Sequence, residues 1–369
     1  MHFSCEREGV IININQVIVY ILVFFAIVAA IDCIAGNRIG LGEKFREGID
    51  AMGPLTFSMA GILVLTPVFS DILKPLVVPV FKLIHADPSM FAGMLLGIDM
   101  GAAPLAEELA ESQEAAALSG IITGSMLGAT IVFTIPVALG IIAPEDKKLF
   151  AKGILLGVIT IPLGVIAGGA AAGFNLMAVL VNTVPVALLS AAIAVGMWKW
   201  ERIVIRGFIW FGKFIVAVSV AGLVVGILSS LAGITIFERT MDLKEVFIIV
   251  GNIGITLAGA FPFVHFMTKL LRKPLLRAGN HLRINESSTA GFLVSFPNSI
   301  PMLGMVKDMD SRGKVMNIAF SVSGAYVLGD HLGFTAAYAQ DMIVPMIIGK
   351  MTAGVSAVIL AYLVMKKSV

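Results

Sequence analysis

The stretch Pro88-Ser-Met-Phe-Ala-Gly-Met-Leu-Leu-Gly-Ile-Asp99, continued by Met100-Gly-Ala-Ala-Pro104 and Leu105-Ala-Glu-Glu-Leu-Ala-Glu-Ser-Gln-Glu114, decides how this chain is read. Its apolar arm of ~10–12 residues reaches about halfway through a bilayer at ~1.5 Å per residue. It then breaks on Gly and Pro and turns acidic. A second stretch repeats the pattern. Ser287 to Phe296 is apolar, Pro297-Asn-Ser-Ile-Pro301 breaks it, and Lys307, Asp308, Asp310 and Arg312 follow. Each stretch is either a re-entrant hairpin or a helix broken at mid-membrane that still crosses.

The rest of the chain makes the bilayer unavoidable. Of 369 residues, 58% are hydrophobic and 14% charged, against ~45–50% and ~25% in soluble domains. That excludes an ordinary cytosolic enzyme, a secreted domain and a disordered chain. The net charge of +2 comes with dispersed basic residues, so no nucleic-acid partner is expected. Cys5 and Cys33 give neither a disulfide framework nor a metal spacing. Met1 to Asn15 lacks the features of a cleaved leader. Nine stretches are long enough to span: Ile14–Gly36, Gly53–Leu73, Ala115–Ile142, Lys152–Ala172, Asn175–Trp198, Phe208–Ile236, Val246–Leu271, Val315–Ala337 and Ile343–Met365.

Charge chooses between the two readings of the broken stretches. With both as hairpins, 20 of the 26 Lys and Arg fall on one face and 5 on the other, with Lys350 inside a span. If both cross, the split is 15 against 10. The positive-inside rule favours hairpins, an outside N-terminus and a cytoplasmic C-terminus. The halves also match at a near-constant offset of 197–199: Gly53 with Gly251, Ala92–Gly93 with Ala290–Gly291, Lys74–Pro75–Leu76 with Lys273–Pro274–Leu275. The expected fold is an all-α integral membrane protein, elevator-like, with about nine transmembrane helices and two re-entrant hairpins in two inverted repeats. Residues 1–13 form an extracytoplasmic segment. The first repeat covers 14–172 with hairpin 88–114, a connecting span covers 173–205, and the second repeat covers 206–369 with hairpin 287–312.

Irregular backbone at membrane depth is tolerated where protein buries it or a cavity receives it. The tips therefore nominate Asp99, Asn298 and Ser299 as substrate-binding residues, against the plainer reading that they cap broken helices. Asp330 and His331, inside Gly329-Asp-His-Leu-Gly333, join them, because an intramembrane acid is a functional-site hypothesis by default. Both side chains reach one site only if the helix opens there. The competing reading is an internal pair of Asp330 with Lys350 or His331. Thr123, Thr130 and Thr134 read as one helical stripe, with Thr130 and Thr134 on a substrate pathway or, more simply, bonding backbone. Glu107, Glu108, Glu111 and Glu114, with no Lys or Arg beside them in sequence, form an acidic outer arm. It is either a vestibule for a cation or a solvated face. No Walker loop, zinc spacing or Gly-x-Ser-x-Gly occurs, so neither an enzyme nor a cofactor is expected.

The runs Pro88-Ser-Met-Phe-Ala-Gly93, Asp99-Met-Gly101, Gly124-Ser-Met-Leu-Gly-Ala-Thr-Ile-Val-Phe-Thr-Ile-Pro-Val-Ala-Leu-Gly140, Asp310-Ser-Arg-Gly-Lys-Val315 and Gly329-Asp-His-Leu-Gly-Phe334 resemble the ethanolamine utilisation permease family, EutH. The resemblance covers nearly the whole chain. It implies a bacterial inner-membrane permease whose substrate is ethanolamine, and it carries no established binding residues across. Uniport and coupling to H+ or Na+ both remain open. A homodimer is expected only by analogy with elevator-like carriers. The competing functions are a carrier for another small polar solute, such as a different amine or a nucleoside, and a non-transporting membrane sensor or scaffold.

Overall fold

A computed structural model describes residues 14–97 and 102–366. In chain order the helices are α1 (Ile14–Ile34), α2 (Leu41–Asp50), α3 (Met52–Leu83), α4 (Met90–Leu95), α5 (Ala102–Leu109), α6 (Gln113–Ala117), α7 (Ile135–Ile141), α8 (Lys147–Ala171), α9 (Leu176–Lys199), α10 (Glu201–Ala232), α11 (Leu243–Leu282), α12 (Glu286–Ser295), α13 (Ser299–Met305), α14 (Ser311–Gly324), α15 (Asp330–Tyr338) and α16 (Ile343–Lys366). Between α6 and α7 the chain runs as π-helix, Leu118–Gly128 and Thr130–Thr134.

Eight helical stretches among the described residues are long and apolar enough to cross a bilayer. They match eight of the nine expected spans. The ninth, Val315–Ala337, is instead two helices, α14 and α15, separated at 325–329. Burial sorts the spans into layers. The stretch Gln113–Ile141 has 83% of its apolar window buried, while Ile14–Ile34 has 17% and Glu201–Ala232 has 22%. The π-helical span is therefore central, and α1 and α10 present their apolar side chains outward. Helices α8, α14 and α16 pack against one another and against that span, whereas α1, α2, α3, α10 and α11 form a second group.

The element order recurs. Helices α3, α4, α5, α6 to α7 and α8 are followed later by α11, α12, α13, α14 to α15 and α16 in the same sequence. In both series the segment after the long helix turns back on itself. Asp87 Oδ2 accepts from Glu111 N (3.0 Å), its Oδ1 from Ser89 N (2.9 Å), and its own N–H donates to Asn182 Oδ1 (2.7 Å). In the later series Asn285 N donates to Asp310 Oδ1 (2.9 Å), Asn285 Nδ2 to Asp308 O (2.9 Å) and Ser288 Oγ to Asp310 Oδ1 (2.7 Å). Asx side chains at both places satisfy N–H groups that a helix start leaves over. Asn182 therefore serves packing at a helix end. Asp32 does likewise, accepting from Ile39 ahead of α2 and from Leu41 and Gly42 in its first turn.

Asp310 closes the second segment and also caps α14 through Gly313 N (3.1 Å). Burial alone would raise its carboxyl, but the hydrogen bonds from Asn285, Ser288 and Gly313 outweigh it and hold the group below its ordinary 3.8. A depressed carboxylate contributes stability above the unfolded value and loses it as pH falls through the native one. Asp310→Asn should therefore lower the melting temperature at neutral pH, with the gap to wild type closing below pH 3.8. A gap that persists in acid would contradict this.

The first closed segment lies flat on the π-helical span. Gly93 N donates to Ser119 Oγ (3.1 Å), and Ser119 Oγ donates to Ser89 O. A Cβ at Gly128 would sit 2.7 Å from Gly93 O, so small residues set this approach.

Candidate functional site

The site is built at the interruption of α14 and α15. Tyr326 takes a left-handed φ of +63°, which a non-glycine residue rarely adopts. The turn from α12 into α13 compensates for it. Tyr326 N donates to Ser295 O (3.1 Å), and Leu328 N donates to Phe296 O (3.1 Å). The main-chain groups freed by opening the helix thus find partners on the neighbouring break. At Gly329 the two backbones nearly touch, since a Cβ there would lie 1.9 Å from Pro297 O.

Side chains converge on this contact from several elements. Ser299 Oγ and Tyr326 OH lie 2.6 Å apart in a buried hydrogen bond. The Tyr326 ring stands 5.3 Å from the His331 ring and edge-on to Phe133 of the π-helical span at 6.0 Å. His331 is 3% exposed, and its Nδ1 has no hydrogen-bond partner among the described residues. Ser323 Oγ, at the end of α14, is in the same position. A buried polar atom left without a partner is costly. Lys350, 1% exposed in α16, donates from Nζ to the main-chain oxygen of Ser125 (2.7 Å) and ties α16 to the π-helical span. Losing the Tyr326 hydroxyl should cost stability. A double-mutant cycle of Tyr326→Phe with Ser299→Ala, read by denaturation in detergent, should give a coupling of ~1 kcal/mol. A coupling near zero would contradict the contact.

The expected site residues fall as follows. Ser299 and His331 meet at one place through Tyr326. Asp330 is half-buried in the first turn of α15, where a carboxylate suits the helix dipole. Asn298 caps α13 by accepting from Ile300 N (2.8 Å). Asp99 lies outside the described residues. Thr130 Oγ1 is within 2.7 Å of both Met126 O and Val322 O, so its hydroxyl bridges to α14, and Thr134 is buried. The Thr123 hydroxyl donates to Leu118 O five residues back, within reach because these turns are widened to π-helix. The stripe expected from a 3.6-residue period does not hold in these turns.

The acidic arm is not left unbalanced. Lys74 and Lys82 of α3 come to 3.8 Å from Glu108 and 3.2 Å from Glu111, partners some thirty residues away in sequence. Glu107 faces a cleft of about 580 Å3, which Ala103, Gln113, Ile121 and Tyr338 also line. Tyr338 ends α15, in whose first turn His331 lies. His331, Phe334 and Tyr338 share one face of α15 over ~10 Å, with Phe334 and Tyr338 stacked at 5.0 Å. The cleft and the tyrosine-histidine cluster thus lie at the two ends of one short helix. Tyr326 and Phe133 were not among the expected site residues. The Gly324 and Gly329 pair bracketing Tyr326 is the sequence signal that could have found the break.

The family model "Ethanolamine utilisation protein, EutH" matches residues 14–364. The chain belongs to the EutH family. A Listeria monocytogenes relative named a probable ethanolamine permease EutH is 52% identical over 94% of this chain and 93% of its own length. The EutH-named protein of Salmonella typhimurium is 41% identical over 96% of both chains, and an uncharacterised Bacillus subtilis protein, YxeR, is 46% identical over 94% and 93%. No solved structure matches. Family membership and the eight apolar helical stretches among the described residues together make this EutH protein a multi-pass membrane protein.

Proposed function

We propose that this EutH protein is an inner-membrane permease for ethanolamine. It carries the protonated amino alcohol by alternating access about a site between the α4/α5 and α12/α13 tips. One observation supports the reading: the α12/α13 turn meets the α14/α15 break in the protein interior, and their contact brings Ser299, Tyr326 and His331 together. In this proposal Asp330, next in the chain to His331, and the α4/α5 tip with Asp99 complete the site. The relatives' names supply the substrate.

The chemistry fits a small cation with a hydroxyl. Asp330 and Asp99 accept from the ammonium, while Ser299, Asn298 or His331 serves the hydroxyl. The cleft at Glu107 is the outer approach, with the α15 face below it. Hydrocarbon is a severe barrier to the charged amine, and an inside-negative potential favours entry by ~2.3 kcal/mol per charge per 100 mV. Ion coupling is thus not compulsory. The charge distribution, 20 against 5, and the tied bases at Asp87 and Asn285 support two re-entrant hairpins entering from opposite leaflets in inverted repeats. In this reading α8, α14, α16 and the hairpins move against α1 to α3, α10 and α11.

Labelled ethanolamine uptake at acidic pH, where passive entry is small, tests the function. Expressing cells should exceed vector controls several-fold, and other amines should compete less well. Uptake equal to the control, with the protein present in the membrane, removes the proposal. Cysteines at Glu111 and Asp308 test the topology, since they should label from opposite sides.

A further inference from the structure

We propose that the cytoplasmic end of α11 is a binding surface for anionic phospholipid headgroups, held on the leaflet next to the second closed segment. The apolar part of α11 ends at Leu271, yet the helix continues unbroken to Leu282. Lys269, Lys273 and Arg277 follow at four-residue spacing on one stripe, all exposed, and Arg283 is exposed just beyond. Phe266 and Leu270, 47% and 59% exposed, run alongside. An apolar stripe beside a cationic one is the pattern of a helix lying in the membrane interface.

Countercharge distinguishes this arm. Like charges one turn apart repel, and no carboxylate occurs from Val246 to Asn285. Among the described residues, none of these cations makes an ion pair, and neither does the next acid, Glu286. The equivalent arm at the end of α3 is different. Its Lys74 and Lys82 are met by Glu108 and Glu111 of the segment that follows. Among the described residues no acid pairs with the α11 arm: Glu43 and Glu47 of α2 lie near His265 at its start, but Glu47 is taken by Lys44. The arm lies where a sheet of phosphate groups is at hand. Each Lys or Arg near an anionic surface strengthens attachment by about fivefold. The arm also touches what it leads into, since a Cβ at Gly279 would overlap Thr289 Oγ1 of α12 at 2.0 Å. Lipid on the arm therefore steadies the base of the tip that carries Ser299.

The test takes the full chain in a neutral detergent and adds phosphatidylglycerol, phosphatidylcholine or inorganic phosphate. Retained lipid is read by native mass spectrometry and stability by melting temperature. Wild type should retain phosphatidylglycerol and be stabilised by it alone, with affinity falling about fivefold for each of Lys269→Gln, Lys273→Gln and Arg277→Gln. The charge-keeping variant K269R/K273R/R277K should bind as wild type, and Lys74→Gln with Lys82→Gln should leave binding unchanged. Equal retention by the triple Gln variant, or equal stabilisation by inorganic phosphate, overturns the proposal. No transport is measured, so failure here and failure of the permease reading are distinguishable.

Discussion

Gly329→Ala is expected to bring labelled ethanolamine uptake down to the vector background while the protein still reaches the membrane. A Cβ at this position would lie 1.9 Å from the Pro297 carbonyl oxygen; Gly329 is held by main-chain bonds to Tyr326 and Gly333, and Phe296 beside Pro297 accepts from Leu328 N. The clash cannot be relieved by a rotamer. It must separate the α14/α15 break from the α12/α13 turn, and Ser299 then leaves Tyr326. Overpacking of this kind costs ~1–3 kcal/mol in stability, which a melting curve will register. Gly251→Ala provides the contrast. Nothing lies within 4 Å of its Cβ, and alanine suits a helix interior better than glycine. That variant should transport normally and melt no lower. Normal uptake by Gly329→Ala would mean that the docked breaks are not the site.

Asp330→Asn should reduce uptake at acidic pH by roughly ten- to a hundredfold at equal expression, because a hydrogen bond to a charged group is worth ~1.5–3 kcal/mol. The amide keeps the size and the polar atoms, so the melting temperature should move little. A structural acid would show the opposite pattern, with a lower melting temperature and intact uptake per folded protein. The ratio of uptake loss to stability loss therefore decides between substrate contact and helix-dipole support, the two roles open to a carboxylate in the first turn of α15. Wild-type uptake by Asp330→Asn would remove this residue from the site.

Much of this arrangement was legible in the residue order. The two broken stretches were readable because an apolar arm of half a membrane's length, a Gly/Pro break and a charged exit are all local properties. In the structure Asp87 is hydrogen-bonded to Glu111, and Asn285 to Asp310. The opening at Asp330 was legible only as a condition, through the flanking glycines. That Tyr326 would carry the left-handed φ had no local signal, because the partners that compensate for it, Ser295 and Phe296, lie some thirty residues earlier. The same distance hid the pairing of Glu108 and Glu111 with Lys74 and Lys82. The threonine stripe failed for a related reason, since a 3.6-residue period says nothing about turns widened to π-helix.

Composition and hydropathy alone determined that this is a helical membrane protein with two interrupted segments, because the length of an apolar run against the thickness of hydrocarbon is a one-dimensional quantity. Which broken end meets which, and that Tyr326, Ser299 and His331 share one contact, was decided only when separate helices packed. Those neighbours are joined through space, by backbone groups that each break had left without partners.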